Sequence, residues 1–155
     1  MLDYMINPVL MEGTIKDVFD DSVKIHLRGR LGVITLPKRL IINDELTAIG
    51  SKVRFYFSYI QVVKKRGDYD LHSLKAYEEV YPCLFGGEIT MYNDTAVEVK
   101  ALEGSLTIFV PRRWVFTPID LNDGLNVEFY LSAVELINNT RRNDNEINNS
   151  RRYAV

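Results

Sequence analysis

Hydrophobic and polar positions alternate along several short stretches of the chain. Residues 23–28 alternate between apolar and basic side chains, in the order Val23, Lys24, Ile25, His26, Leu27 and Arg28. This period of two is typical of a β-strand with one buried face and one solvated face. The pattern predicts further strands at residues 12–19, 31–36 and 53–63. Polar turns and Pro37 separate these stretches, so the sequence predicts an all-β fold.

The same pattern returns 74 positions later. Residues 13–63 align without a gap on residues 87–137, and 12 of these 51 positions are identical. About three identities are expected by chance. Such a repeat indicates an internal duplication, which sets the architecture. It predicts two tandem small β-barrels, either OB-like or SH3-like, each with one short helical turn.

The repeat also predicts how the chain divides. We expect residues 1–82 to form a first barrel with a lead-in and a hairpin extension, and residues 83–155 to form a second barrel with a mobile Asn/Arg-rich tail. Residues 69–76 fit either a fifth strand or a helical stripe. The second copy has no counterpart of this stretch, because the equivalent positions fall in the tail.

Two local signals refine this prediction. Thr117, Pro118 and Gly124 have the spacing of a helix start and stop, so a helical turn is expected at residues 118–123. The alternation changes phase at Ser58 and Ser132, which predicts a bulge or the closure of a barrel there.

The duplication makes a specific prediction about the core. Ile34 and Ile108 are equivalent in the repeat, as are Phe55 and Phe129. All four lie on the apolar phase of their strands. We expect them to be buried, with one member of each pair in each of two separately closed barrels.

Composition excludes several classes of protein. The 155 residues carry a formal net charge of −2, from 19 basic and 21 acidic residues. This balance excludes strong attraction of the whole molecule to nucleic acid or to anionic membranes, but a local basic patch remains compatible with it. One cysteine, Cys83, excludes an intrachain disulfide. No signal peptide and no membrane span are indicated, so a cytoplasmic location without membrane contact is expected.

Catalytic signatures are missing from the sequence. It contains two histidines and no metalloprotease, Walker or nucleophile-elbow motif. Asp20, Asp21 and Asp94 fall in predicted hairpin turns, where short carboxylates stabilise the backbone. We therefore expect no enzyme, no catalytic residue, no cofactor and no metal site.

Basic and aromatic residues on outward strand positions and after two prolines suggest a binding surface. The candidates for nucleic-acid binding are Lys24, His26, Arg28, Lys38, Arg39, Tyr56, Arg112, Arg113 and Tyr130. Cations would contact phosphates, and bases would stack on a tyrosine. The charges are also typical of a solvated strand face. The two tyrosines would equally suit the interface between the two barrels.

Part of the pattern resembles a known family. The relevant residues are a Gly-x-apolar motif at Gly13, a hairpin at residues 23–27, Gly32 followed by an apolar pair, and Gly50 opening a long strand, with matches at Gly87 and Gly124. This order resembles the OB-fold RNA-binding domain of the largest small-subunit ribosomal protein. The resemblance implies an OB barrel and RNA as a ligand.

Two functions are thus expected. The first is a non-catalytic module that binds single-stranded nucleic acid, with RNA as the partner. The alternative is a protein-interaction or scaffold module. Such a module would bind a protein partner or form a homodimer through an open strand edge, because the repeat supplies no fifth strand for the second barrel.

Overall fold

The computed structural model describes residues 6–42, 44–71, 74 and 80–137. Within these residues the all-β class is confirmed, and the elements beside the strands are short 3₁₀ turns. The strands are β1 Val9–Val18, β2 Ser22–Leu27, β3 Val33–Pro37, β4 Ile41–Ile42, β5 Lys52–Phe57, β6 Ile60–Val63, β7 Cys83–Tyr92, β8 Ala96–Ala101, β9 Leu106–Pro111, β10 Val115–Phe116, β11 Asn126–Leu131 and β12 Val134–Leu136.

All twelve strands belong to one barrel-like sheet made of two related halves. The first half has the order β3-β2-β1-β5-β12-β4, and the second has the order β9-β8-β7-β11-β6-β10. The final strand of each repeat lies in the other half: β6 pairs with β11 and β10, while β12 pairs with β5 and β4. Each half of the sheet is therefore completed by a strand from the other repeat, which we call an exchanged strand.

Two antiparallel junctions join the halves. Ile34 of β3 faces Ile108 of β9, and Phe57 of β5 faces Leu131 of β11. Each pair consists of equivalent residues of the repeat. An antiparallel pair in which equivalent residues face each other requires an approximate twofold axis through the contact. We call the first junction the β3–β9 seam.

Ser58 and Ser132 mark the points where the chain crosses between halves. The Ser58 Oγ accepts a hydrogen bond of 2.8 Å from the Tyr130 N–H and donates to the Tyr59 carbonyl. The Ser132 Oγ likewise accepts from the Tyr56 N–H at 2.8 Å and donates to the next carbonyl. Both serines are buried. The change of phase predicted at these residues is therefore the end of a strand, where the chain enters the other half of the sheet.

The hydrophobic interior is continuous across both halves. Ile34, Ile108, Phe55 and Phe129 are each 0% exposed, so their predicted burial is confirmed. Their assignment to two separately closed barrels is wrong, because all four belong to one sheet and one core cluster. The reason is the strand exchange, which places β12 beside β5 and β6 beside β11. The division of the chain at residues 82 and 83 remains a prediction.

The helical turn expected at residues 118–123 is not formed. The Thr117 hydroxyl instead accepts from the Ile119 N–H at 3.1 Å and donates to the Ile119 carbonyl at 2.8 Å. This closes a polar turn and satisfies the capping signal without a helix. In both repeats a 3₁₀ turn directly follows the proline that ends a strand, at Lys38–Leu40 and at Arg112–Trp114.

The hairpin extension is irregular where it is described. Tyr69, Asp70 and Leu71 are not in a strand, and Leu74 lies in a 3₁₀ turn. The predicted fifth strand is therefore not formed at 69–71. The other positions of residues 69–76, and the tail from residue 138, lie outside the described residues. In the described part of the chain, no helix has the length and apolar character needed to cross a membrane.

Candidate nucleic-acid interface

A polar cleft opens at the β3–β9 seam. Its lining includes Thr35 and Thr107, which face each other across the two strands. The cleft has a volume of about 780 Å³. It is lined by Asp20, Asp21, Ser22, Thr35, Pro37, Lys38, Arg39, Gly104, Ser105 and Thr107. We call it the seam cleft. Both repeats contribute to it, so it depends on the way the halves join.

Hydrogen bonds to backbone carbonyls hold the rim of the seam cleft. The Lys38 N–H donates to the Asp21 carbonyl at 2.9 Å, which ties the turn after β3 to the turn before β2. On the opposite rim, the Ser105 hydroxyl donates to the Leu102 carbonyl at 2.8 Å. Consequently the turn that carries Asp20 and Asp21 lies next to the turn that carries Lys38 and Arg39.

Lysines flank the threonine pair on the outward face of the sheet. Lys24 of β2 is the cross-strand partner of Thr35, and Lys100 of β8 is the partner of Thr107. The Lys100 ammonium donates to the Thr107 hydroxyl at 3.1 Å. The four side chains form one row across four neighbouring strands, with a positive charge at each end.

The next row on this face is apolar at its centre. Val33 of β3 pairs with Phe109 of β9, and His26 of β2 pairs with Val33. Phe109 is 37% exposed. An exposed aromatic ring beside a basic row is the arrangement on which nucleic-acid bases stack.

The structure brings together four of the residues proposed from the sequence. Lys38 and Arg39 line the seam cleft, Lys24 stands beside it, and His26 occupies the adjacent row. Arg28 lies apart in an exposed ion pair, with its Nη1 2.9 Å from the Glu12 Oε1. Exposed pairs of this kind are weak, so Arg28 keeps most of its freedom.

Arg112 and Arg113 occupy the equivalent turn of the other half. The Arg112 N–H donates to the Thr95 carbonyl at 2.7 Å, matching the bond made by Lys38. Its guanidinium donates to the Val115 carbonyl at 3.3 Å. The surroundings differ, because the repeat equivalents of the cleft's four hydroxyl residues are apolar: Ala96 for Ser22, Phe109 for Thr35, Leu31 for Ser105 and Val33 for Thr107.

Tyr56 and Tyr130 lie away from the seam cleft. They belong to β5 and β11, beside the second junction, where their N–H groups bond to Ser132 and Ser58. Two strands, β1 and β2, separate β5 from β3 in the sheet. The expected combination of a stacking tyrosine with Lys38 and Arg39 is therefore not assembled on one face.

Sequence reasoning missed the polar and aromatic residues of the seam. These are Ser22, Thr35, Lys100, Ser105, Thr107 and Phe109. One signal could have indicated the strand residues among them. Thr35, Thr107 and Phe109 are outward neighbours of Ile34 and Ile108, the two residues that meet at the twofold axis. Asp20 and Asp21, for which the sequence predicts a role in a hairpin turn, also line the cleft.

Metal binding finds no support in the described residues, since no group of three His, Cys, Asp or Glu side chains among them is placed to hold an ion.

Elsewhere on the surface, the Arg54 guanidinium makes two hydrogen bonds of 3.2 Å to the Glu135 carboxylate, which raises the pKa of Arg54. This pair links β5 to the exchanged strand β12.

Comparison with known proteins identifies no family. No protein-family model matches the chain, and no curated protein sequence matches it. The resemblance to the ribosomal OB-fold domain therefore gains no support. Among solved structures, the chain is similar to the cytoplasmic molybdate-binding protein ModG in a crystal form with molybdate bound. The identity is 15% and the TM-score 0.27, over 83% of this chain and 93% of that one.

Proposed function

We propose that this protein is a non-catalytic module that binds single-stranded nucleic acid at the seam cleft. One observation carries the proposal. Two cations, Lys38 and Arg39, share the cleft with four hydroxyl side chains contributed by both repeats. Those hydroxyls belong to Ser22, Thr35, Ser105 and Thr107.

The chemistry of the cleft suits a phosphodiester backbone. Arginine and lysine donate charged hydrogen bonds to phosphate oxygens, and serine and threonine hydroxyls add neutral ones. Lys24 and Lys100 extend the positive charge along the outward row. The net charge of −2 limits long-range attraction, so we expect modest affinity.

Single strands are favoured over duplexes by the neighbouring row. Phe109 offers an exposed ring one row away from the cleft, with His26 on the same face. Unpaired bases expose their faces for stacking, whereas bases within a duplex do not. A strand with its backbone in the cleft would place a base above Phe109.

The test is a fluorescence-anisotropy titration with a labelled mixed-sequence RNA of about 12 nucleotides, long enough for one barrel-sized site. Two phosphate contacts predict about a sevenfold loss of affinity between about 50 and about 200 mM salt. The double variant Lys38→Gln, Arg39→Gln should lose about tenfold in affinity and most of the salt dependence. The equivalent double variant Arg112→Gln, Arg113→Gln is the matched control and should change affinity much less.

Two outcomes would overturn the proposal. One is the absence of binding at low salt. The other is an equal loss of affinity in both double variants, which would mean that general positive charge, not the seam cleft, attracts the RNA.

The alternative of a protein-interaction module stays a prediction, although the structure does not show the feature that motivated it. It rested on a strand edge left open by a missing strand in the second barrel. In the structure the exchanged strand β6 pairs with β11, and β12 pairs with β5. Within the described residues, the sheet ends in the two-residue strands β4 and β10.

A further inference from the structure

The seam cleft contains carboxylates as well as cations. Asp20 and Asp21 line it together with Lys38 and Arg39, and the bond from the Lys38 N–H to the Asp21 carbonyl keeps the two turns adjacent. A site that bound only phosphate would be weakened by two negative charges so close to the ligand. A ligand that offers hydrogen-bond donors as well as an anion would match both the carboxylates and the cations of the lining.

A ribose-phosphate unit has this combination. A carboxylate accepts strongly from a hydroxyl group, and the 2′-hydroxyl is the donor that RNA has and DNA lacks. We infer that the seam cleft binds a ribose-phosphate unit of RNA, with Lys38 and Arg39 at the phosphate and Asp20 and Asp21 at the 2′-hydroxyl. This selectivity for RNA over DNA rests on the proposed function.

The second repeat provides an internal comparison for Asp20 and Asp21. The positions equivalent to Asp20 and Asp21 are Asp94 and Thr95, and the surrounding hydroxyls are replaced by apolar residues. There the Asn93 Oδ1 closes the turn by accepting from the N–H groups of Thr95 and Ala96 at 2.8 and 2.9 Å. The two carboxylates thus occur together only in the half that also has the hydroxyl-lined cleft.

The test compares three oligonucleotides of the same sequence: RNA, DNA and 2′-O-methyl RNA. Each is titrated by anisotropy against the full-length protein. Loss of one charge-assisted hydrogen bond predicts that DNA binds about tenfold more weakly than RNA. The 2′-O-methyl strand should bind like DNA, because methylation removes the donor and keeps the RNA-like sugar.

Variants then assign the selectivity to the cleft. Asp20→Asn with Asp21→Asn should lower the RNA-to-DNA affinity ratio toward one, because a neutral amide accepts more weakly from the 2′-hydroxyl, whereas the loss of negative charge affects the phosphates of both strands equally. Asp94→Asn is the matched control and should leave the ratio at its original value. The ratio is unaffected by a general change in charge, and circular dichroism would verify that each variant is folded.

The outcomes separate this inference from the proposed function. Equal, salt-dependent binding of RNA and DNA would overturn the inference and leave nucleic-acid binding intact. A ratio that survives the double Asn variant would also overturn it. Binding of none of the three strands would overturn both.

Discussion

Two glycines that are equivalent in the repeat, Gly13 and Gly87, have a steric origin. A Cβ added to Gly13 would lie 2.8 Å from the His26 carbonyl oxygen, and one added to Gly87 would lie 2.9 Å from the Lys100 carbonyl oxygen. Both contacts are with backbone atoms of the neighbouring strand, which do not move aside easily. The identity of these two positions therefore reflects close approach of strands, a requirement that both halves share.

We predict that Gly87→Ala lowers the stability of the protein. The added methyl would force β7 away from β8, at a cost of about 1–3 kcal/mol in unfolding free energy. Urea denaturation followed by fluorescence would measure it. Gly67→Ala is the control, because a Cβ at Gly67 meets nothing within 4 Å. If the two variants were equally stable, the close approach of β7 and β8 would not be a constraint on this position.

Among the connecting elements, the segment after β6 is held against the second half by Tyr69. The Tyr69 hydroxyl donates to the Glu128 Oε2 at 2.8 Å and accepts from the Gly67 N–H at 3.0 Å. Its ring covers Gly86, where a Cβ would collide with it. Burial, followed by the hydrogen bond to Glu128, raises the pKa of Tyr69. The segment is thus attached through a protonated phenol.

This attachment predicts a pH dependence. Because the folded-state pKa of Tyr69 is raised, the folded protein binds this proton more tightly than the unfolded chain. The associated stability is complete below the ordinary tyrosine pKa of about 10 and is lost as pH rises through the folded-state value. Tyr69→Phe should therefore show a shallower decline in unfolding free energy than the native protein above about pH 10.

Urea titrations at several pH values would measure the difference. Tyr92→Phe, which changes an exposed tyrosine at the end of β7, should retain the native slope. If the unfolding free energy of Tyr69→Phe declined with pH as steeply as that of the native protein, the Tyr69 phenol would not be the group that attaches this segment.

For the whole molecule, strand exchange makes the two halves interdependent. Each half depends on a strand from the other repeat, and one core cluster contains Phe55 and Phe129 together. The rings of Phe129 and Phe57, which belong to different repeats, lie 6.2 Å apart in an edge-on arrangement. Neither repeat contains a complete half-sheet by itself, so we expect them to unfold together.

The corresponding prediction concerns Phe55→Ala and Phe129→Ala. Each should cost about 3–5 kcal/mol, the usual cost of removing a buried phenylalanine. Calorimetry should show one transition for the native protein and for each variant, shifted to lower temperature as a whole, whereas Lys38→Ala should barely move it. Two transitions, with only one of them shifted, would show that the halves unfold independently.

The buried positions were predictable because alternation is a local property. Ile34, Ile108, Phe55 and Phe129 were assigned to the core from the residues immediately around them, and all four are fully buried. The turn at Thr117 was assigned wrongly, since a capping side chain stabilises a polar turn as readily as a helix. Local chemistry there was compatible with two backbone conformations.

The sequence by itself determined the all-β class, the duplication and the positions of the core, because each depends on spacing within a strand or on similarity between the repeats. Only the tertiary structure decided which strands pair. Exchanging β6 and β12 between the halves leaves every alternation unchanged, so the pattern did not distinguish exchanged from separate barrels. The seam cleft depends on the same choice, since Thr35 and Thr107 are 72 positions apart in the chain and meet only across the β3–β9 seam.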